Sequence, residues 1–186
     1  MKLVSGTLAN RLADKFACLV AERVFVPVQL IDMLITEDCN CRCDYCFIRG
    51  KRPRRMSEEI IKATVDFLLL KSRHLERPEI LFFGGEPLLA FDLMQLTVDY
   101  GEWQAERYRK QLAFSMTTNG TLFDEEKLAF CQRHGVKFLL SIDGDEKTHN
   151  AHRRFADGRG TYHAVVELIP LMKRKQARAA LCIRHW

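Results

Sequence analysis

The sequence predicts an α/β fold on about five parallel strands, and three observations carry that prediction. Short apolar runs alternate with longer segments in which apolar residues recur at helical spacing. Connections between them are short, which calls for a parallel sheet with right-handed crossovers. Unusual residues also recur at one place in each unit, with cysteines after the first run, GGEP after the second, TTNG after the third and SIDG after the fourth. The pattern leaves open whether the strands curl into a barrel or lie in an open sheet.

The elements follow in order. Leu8, Leu12, Phe16, Leu19 and Val20 give a stretch from about Thr7 to Val24 the spacing of an amphipathic helix. Residues 1–27 are therefore expected to form an N-terminal helical extension, and residues 28–186 one core domain. QLIDMLIT is the first strand, followed by a loop and by Ser57 with Glu58 and Glu59, a helix start with acids in its first turn. The strand EILFF ends at Gly84 and Gly85, and a helix runs on to about Arg109. The strand LAFSMT ends at Thr118, and Asp124 opens the next helix. Gly135 sits where a helix C-cap belongs, ahead of the strand KFLLSI. A polar loop then leads to a helix from about Tyr162, which Pro170 should kink or shorten, and AALCI is the fifth strand. Runs such as Ile80 to Phe83 and Phe138 to Leu140 suit strands buried on both faces.

At 186 residues and 47% hydrophobic content, the chain is long enough for one cored domain and short for two. Seven cysteines without a recognisable export signal point to a reducing compartment, so a cytoplasmic location is expected. Arg11, Asp14 and Lys15 interrupt the first residues, and no membrane span is expected. The net charge of +5 is concentrated in Arg49, Lys51, Arg52, Arg54 and Arg55. No aromatic residue is interleaved there as a nucleic-acid platform would want, so the run reads as a solvated basic loop and nucleic acid is not an expected partner.

Chemistry concentrates in CNCRCDYC. Cys39, Cys43 and Cys46 stand at offsets of four and three, so a short loop can bring their thiolates to three corners of one iron-sulfur cube. The fourth iron then lacks a protein ligand and stays open to a chelating molecule, unlike a cluster held by four cysteines. A tetrahedral zinc site is the alternative, although only Cys43 and Cys46 form the usual knuckle. Because the strands are parallel, the four polar segments gather at one carboxyl edge, where α/β folds bind ligands. There Gly84 and Gly85 would let backbone approach a ligand, and Glu86 offers an acceptor for an ammonium group. Ser141 and Arg153 offer a hydroxyl and a guanidinium for ribose or carboxylate oxygens. Asn119 would bond a ribose or serve a turn.

The Cys-x3-Cys-x2-Cys loop with Tyr45 before its last cysteine, FFGGEPLL and SIDGDEKTHNAHRR resemble the radical S-adenosylmethionine (SAM) enzymes, and most of all the peptide and protein maturases that include the anaerobic sulfatase-maturing enzymes. The likeness runs from about Gln29 to Met172. It implies a partial TIM-like (β/α)6 barrel, here with about five strands. It further implies a 4Fe-4S cluster on Cys39, Cys43 and Cys46, and SAM held by Tyr45, Gly85, Glu86, Asn119, Ser141 and Arg153. Cleavage of SAM would give a 5'-deoxyadenosyl radical that abstracts hydrogen from a peptide or protein, with electrons from a low-potential donor of flavodoxin or ferredoxin type. A radical SAM enzyme acting on RNA, and a non-enzymatic iron-sulfur or zinc module, are the alternatives. The family usually has an aliphatic residue where Cys41 stands, so Cys41 is not expected to be a ligand. Members also carry a sixth strand, and the maturases a cysteine-rich C-terminal region, so the chain is expected to be a fragment. No catalytic base is assigned; His149 and His152 read as solvated loop histidines.

Overall fold

The structure, a computed structural model, describes residues 26–174 and the backbone of residues 179–183. The helix expected over 7–24 and the side chain of Cys182 lie outside them. Five strands, β1 (Leu30–Thr36), β2 (Glu79–Gly84), β3 (Ala113–Thr118), β4 (Lys137–Ile142) and β5 (Ala179–Ile183), form one parallel sheet in the order β1-β2-β3-β4-β5. An open doubly wound sheet reverses its strand order at a switch point. This one does not among the described residues, so right-handed crossovers carry the helices that connect its strands to the same face and the other face becomes the inside of a partial barrel.

Helix α1 (Glu58–Lys71) starts at Ser57, whose hydroxyl accepts the Ile60 amide at 3.4 Å, and buries Ile61, Val65, Leu68 and Leu69. A 3-10 turn at Pro87–Ala90 leads into α2 (Phe91–Tyr108), which buries Leu93, Met94, Val98 and Ala105. Asp124 caps α3 (Glu125–Arg133) by accepting the Lys127 amide at 2.8 Å, and Gly135 follows at φ +64°, the left-handed conformation expected beyond a helix end. The segment read as a polar loop contains a helix, α4 (Glu146–His152), capped by Asp145. Its seven residues turn one side chain, His149, into the core, too little for a periodicity to show. The last helix is divided into α5 (Tyr162–Val166) and α6 (Leu168–Arg174), with Pro170 in the first turn of α6, where its missing N–H is not needed.

Burial on both faces of the strands is corrected by the structure. Met33, Ile35, Ile80, Phe82, Phe114, Met116, Phe138 and Leu140 are buried beneath the helices. Leu81, Phe83, Thr117 and Leu139, on the other parity, are only half-buried, and Leu34 is 42% exposed. The inner face carries mixed chemistry, including Asp32, Lys137 and a Ser115 hydroxyl bonded to Glu79. The sequence runs read as fully apolar only because residues of both faces happen to be large.

Candidate functional site

The loop after β1 is held in place from three sides. Gly85 N–H donates to Thr36 O at 2.9 Å and Glu86 N–H to Asp38 O at 2.8 Å, joining it to the end of β2. Asn40 bonds Asn119 Nδ2 at 2.9 Å and Thr121 Oγ1 at 2.7 Å, joining it to the end of β3. Beyond β4, residues 152–156 pair with it: Arg42 N–H donates to Arg154 O at 2.7 Å, Asp44 N–H to His152 O at 3.2 Å, and Ala156 N–H to Asn40 O at 3.0 Å. The His152 ring and the Asp44 carboxylate add a contact at 2.8 Å.

These constraints bring the expected residues to one cavity of about 410 Å3 at the carboxyl edge. Cys39, Cys43, Cys46 and Tyr45 line it from the cysteine loop, Gly84 and Gly85 from β2, Asn119 from β3, and Ser141 and Arg153 from β4 and the loop beyond. The volume is in the range of small-molecule sites. Cys41, expected to stand aside, lines the same cavity, with its amide 3.3 Å from Cys39 Sγ. All four thiols are free and line this cavity; among the described residues no three His, Cys, Asp or Glu side chains converge to hold a single metal ion. The hydrogen bond from Cys41, working against burial, draws the Cys39 thiol down to about 6, while the same bond and burial push Cys41 up. Burial raises Cys43.

Glu86 departs from expectation. It does not line the cavity: its carboxylate is buried behind the wall and accepts from Thr118 Oγ1 at 2.7 Å, Asn119 N–H at 2.8 Å and Leu88 N–H at 3.1 Å. Burial lifts it to about 7 against those three bonds. The glycines, too, serve the chain before any ligand. A side chain at Gly84 would meet Thr36 O at 2.3 Å, and one at Gly85 would meet Asp38 O at 1.9 Å, so both let β2 abut the backbone that enters the cysteine loop.

Arg153 is buried and paired with Asp143, Nε to Oδ2 at 2.8 Å and Nη2 to Oδ1 at 3.3 Å, and its guanidinium lies 5.3 Å from the Tyr45 ring centre. Tyr45 Oη donates to Asp143 Oδ2 at 2.5 Å. Burial and that bond raise the Tyr45 hydroxyl, so it stays a donor. Arg154 is exposed and bonds Asn150 O. His149 corrects the solvated reading. It is fully buried, with Nδ1 accepting the Asp143 N–H at 3.2 Å and Nε2 facing Thr161 Oγ1 at 2.8 Å.

The basic run lies largely at the surface: Arg49, Arg52, Arg54 and Arg55 are exposed and Lys51 is half-buried. Arg42 and Lys51 donate to the carbonyl oxygen of Cys41 at 2.9 and 2.7 Å, Arg55 pairs with Asp92, and Arg54 lies 4.0 Å from Glu37. Sequence reasoning missed Lys51 as a cavity residue, and Asn40 and Asp143 as braces. For Asp143 a signal existed, since an aspartate directly after a strand end at the polar edge is placed to receive a cation from the next loop.

The model of the radical SAM superfamily matches residues 33–185. A cysteine-type anaerobic sulfatase-maturating enzyme of Clostridium perfringens is 29% identical over 157 residues, covering 80% of this chain and 41% of that protein. Native anSMEcpe with bound AdoMet and Cp18Cys peptide superposes at a TM-score of 0.74 and 25% identity, over 84% of this chain and 42% of that one. Streptococcus suis SuiB bound to precursor peptide SuiA shares the fold at a TM-score of 0.64 and 17% identity, over 97% of this chain and 38% of that one. The chain thus spans about two fifths of the length of the relatives it matches.

Proposed function

The chain belongs to the radical SAM superfamily, and from that premise we propose that it is the cofactor-binding core of an enzyme that modifies a peptide or protein. The observation that carries this is the meeting of Cys39, Cys43 and Cys46 with Ser141 and Arg153 on one cavity at the carboxyl edge. Three thiolates suit a 4Fe-4S cluster with one open iron, and a buried guanidinium and a hydroxyl on the same cavity suit the carboxylate of SAM. Cluster and SAM together supply one-electron cleavage of a sulfonium carbon–sulfur bond and abstraction of a substrate hydrogen.

The chain's own residues bind, orient and exclude water. Tyr45 presents its ring beside Arg153 to an adenine, and Asn119 its amide to a ribose. Gly85 keeps the β2 corner close to the cysteine loop. Glu86 serves the amino-group end of SAM indirectly, by fixing Thr118 and Asn119, which are on the wall. A peptide substrate is supported by the sulfatase-maturating relative and by the peptide bound to anSMEcpe. The free thiols suit a reducing cytoplasm, and the one-electron chemistry of the family calls for a low-potential donor of flavodoxin or ferredoxin type. Among the described residues no helix is long and apolar enough to cross a membrane.

Anaerobic reconstitution with iron and sulfide, dithionite reduction and assay of 5'-deoxyadenosine test the proposal. The wild-type chain should give a reduced-cluster resonance that changes with SAM. Cys43→Ala should abolish SAM cleavage, and Cys41→Ala should leave it largely intact. Equal loss from both variants overturns the ligand assignment, and uptake of zinc in place of iron sinks the enzyme reading.

A further inference from the structure

Two loops that build the cavity wall, the one after β1 and the one after β4, meet on a single carboxylate. Asp143 is the first residue beyond β4, and its side chain is fully buried. Oδ2 receives both the Tyr45 hydroxyl and Arg153 Nε, and Oδ1 receives Arg153 Nη2. Burial alone would raise this carboxyl, but the bonds from Arg153 and Tyr45 outweigh it and hold it below the usual range. The backbone of Asp143 is fixed as well. Its N–H donates to His149 Nδ1, His149 Nε2 meets Thr161 Oγ1, and that hydroxyl donates to Arg153 O at 3.2 Å. A closed ring of contacts therefore returns to the arginine it began from.

We propose that Asp143 is a positioning residue: one carboxylate sets Tyr45 of the cysteine loop and Arg153 of the β4 loop in register, presenting the ring and the guanidinium to SAM as a preformed wall. The inference rests on the SAM-binding reading given above and adds a residue that does not line the cavity. Arg153 commits Nε and Nη2 to Asp143, so the rest of its fork is aimed by that pair, as partners behind a binding residue commonly fix its orientation. The latch also stands beside the backbone pairing between Arg42 and Arg154 and between Asp44 and His152, so it secures the cysteine loop as well as the arginine.

Asp143→Asn is the first test, because it keeps the shape but places an N–H2 where two acceptor oxygens are needed. Tyr45→Phe removes only the hydroxyl arm. Asp157→Asn, which removes the same charge from the exposed end of the loop, is the control. With the reconstituted chain, Asp143→Asn should keep the iron content of wild type yet bind SAM about 10- to 100-fold more weakly, with a smaller change of the reduced-cluster resonance on SAM addition. Tyr45→Phe should move the same way by less, and Asp157→Asn should match wild type. In the apo chain, both latch variants should speed amide exchange at residues 40–46. Wild-type SAM affinity in Asp143→Asn and Tyr45→Phe overturns the proposal. If wild type itself takes up neither cluster nor SAM, the enzyme reading fails; unchanged exchange in the apo variants then overturns the latch by itself. Should Asp143→Asn not fold, Tyr45→Phe decides.

Discussion

At the scale of single residues, Gly85 and His149 carry the clearest consequences. A β-carbon at Gly85 would sit 1.9 Å from Asp38 O, a backbone atom with nowhere to go. Gly85→Ala should therefore destabilise the chain by about 3 kcal/mol, the upper part of the usual overpacking range, and should disturb the cysteine loop; chemical denaturation measures the first and thiol accessibility the second. His149 is held neutral: burial first, then the nearby Arg153, lower it to about 4 from its ordinary 6.5. Between those values the unfolded chain binds a proton that the folded chain does not, so folding stability rises with pH across that window. Its contribution is complete above about 6.5 and is lost as pH falls toward 4. Replacing His149 by Asn should flatten that limb of the stability–pH curve, and an unchanged slope would assign the acid sensitivity elsewhere. Neither residue could be read fully from the chain. GGEP announced a close approach without saying to what, and the partners of His149 are Asp143 and Thr161, six and twelve residues away.

Among the elements, those with local signals were legible. Ser57 with Glu58 and Glu59 marked the start of α1, Asp124 the start of α3, and Gly135 the turn into β4, because caps are built from neighbours in sequence. The break before α6 follows from Pro170 alone. Helix α4 escaped because a short polar helix with one buried side chain has no stripe to detect, although Asp145 and Thr148 formed its cap. A less visible device closes α1. The Lys110 ammonium, which follows α2, bonds Ser72 Oγ at 2.8 Å, Arg73 O at 2.5 Å and Leu75 O at 2.8 Å, satisfying oxygens that the end of α1 leaves over. Lys110→Met keeps the stem and removes the three donors, and should cost about 1–3 kcal/mol in equilibrium denaturation. A loss indistinguishable from zero would mean that water replaces the ammonium there.

In the whole molecule, strand order was the property that sequence could support only in part. Parallel pairing followed from the alternation of elements, and the gathering of cysteines, GGEP, TTNG and SIDG at one edge followed from parallel pairing. Curling of the sheet did not, because it depends on the absence of any reversal in strand order, which local pattern does not encode. The cavity was legible by its residue types, and Cys39, Cys43, Cys46, Tyr45, Ser141 and Arg153 indeed share it. Its internal wiring was not, since the carboxylates of Glu86 and Asp143 act on parts of the chain that are distant in sequence.

That wiring has a consequence in time. The cysteine loop is framed by residues 152–156, and the contact between Asp44 and His152 spans 108 positions. A ribosome adding about 5–20 residues per second makes the thiols roughly 5–20 s before it makes the segment that shapes them. During that interval the sheet can grow strand by strand, since each strand pairs with the one just made, while the cysteines have no frame. Loading of the site in the cell therefore belongs after the β4 loop has emerged, and a delivery system that met the nascent chain earlier would find the ligands without their geometry.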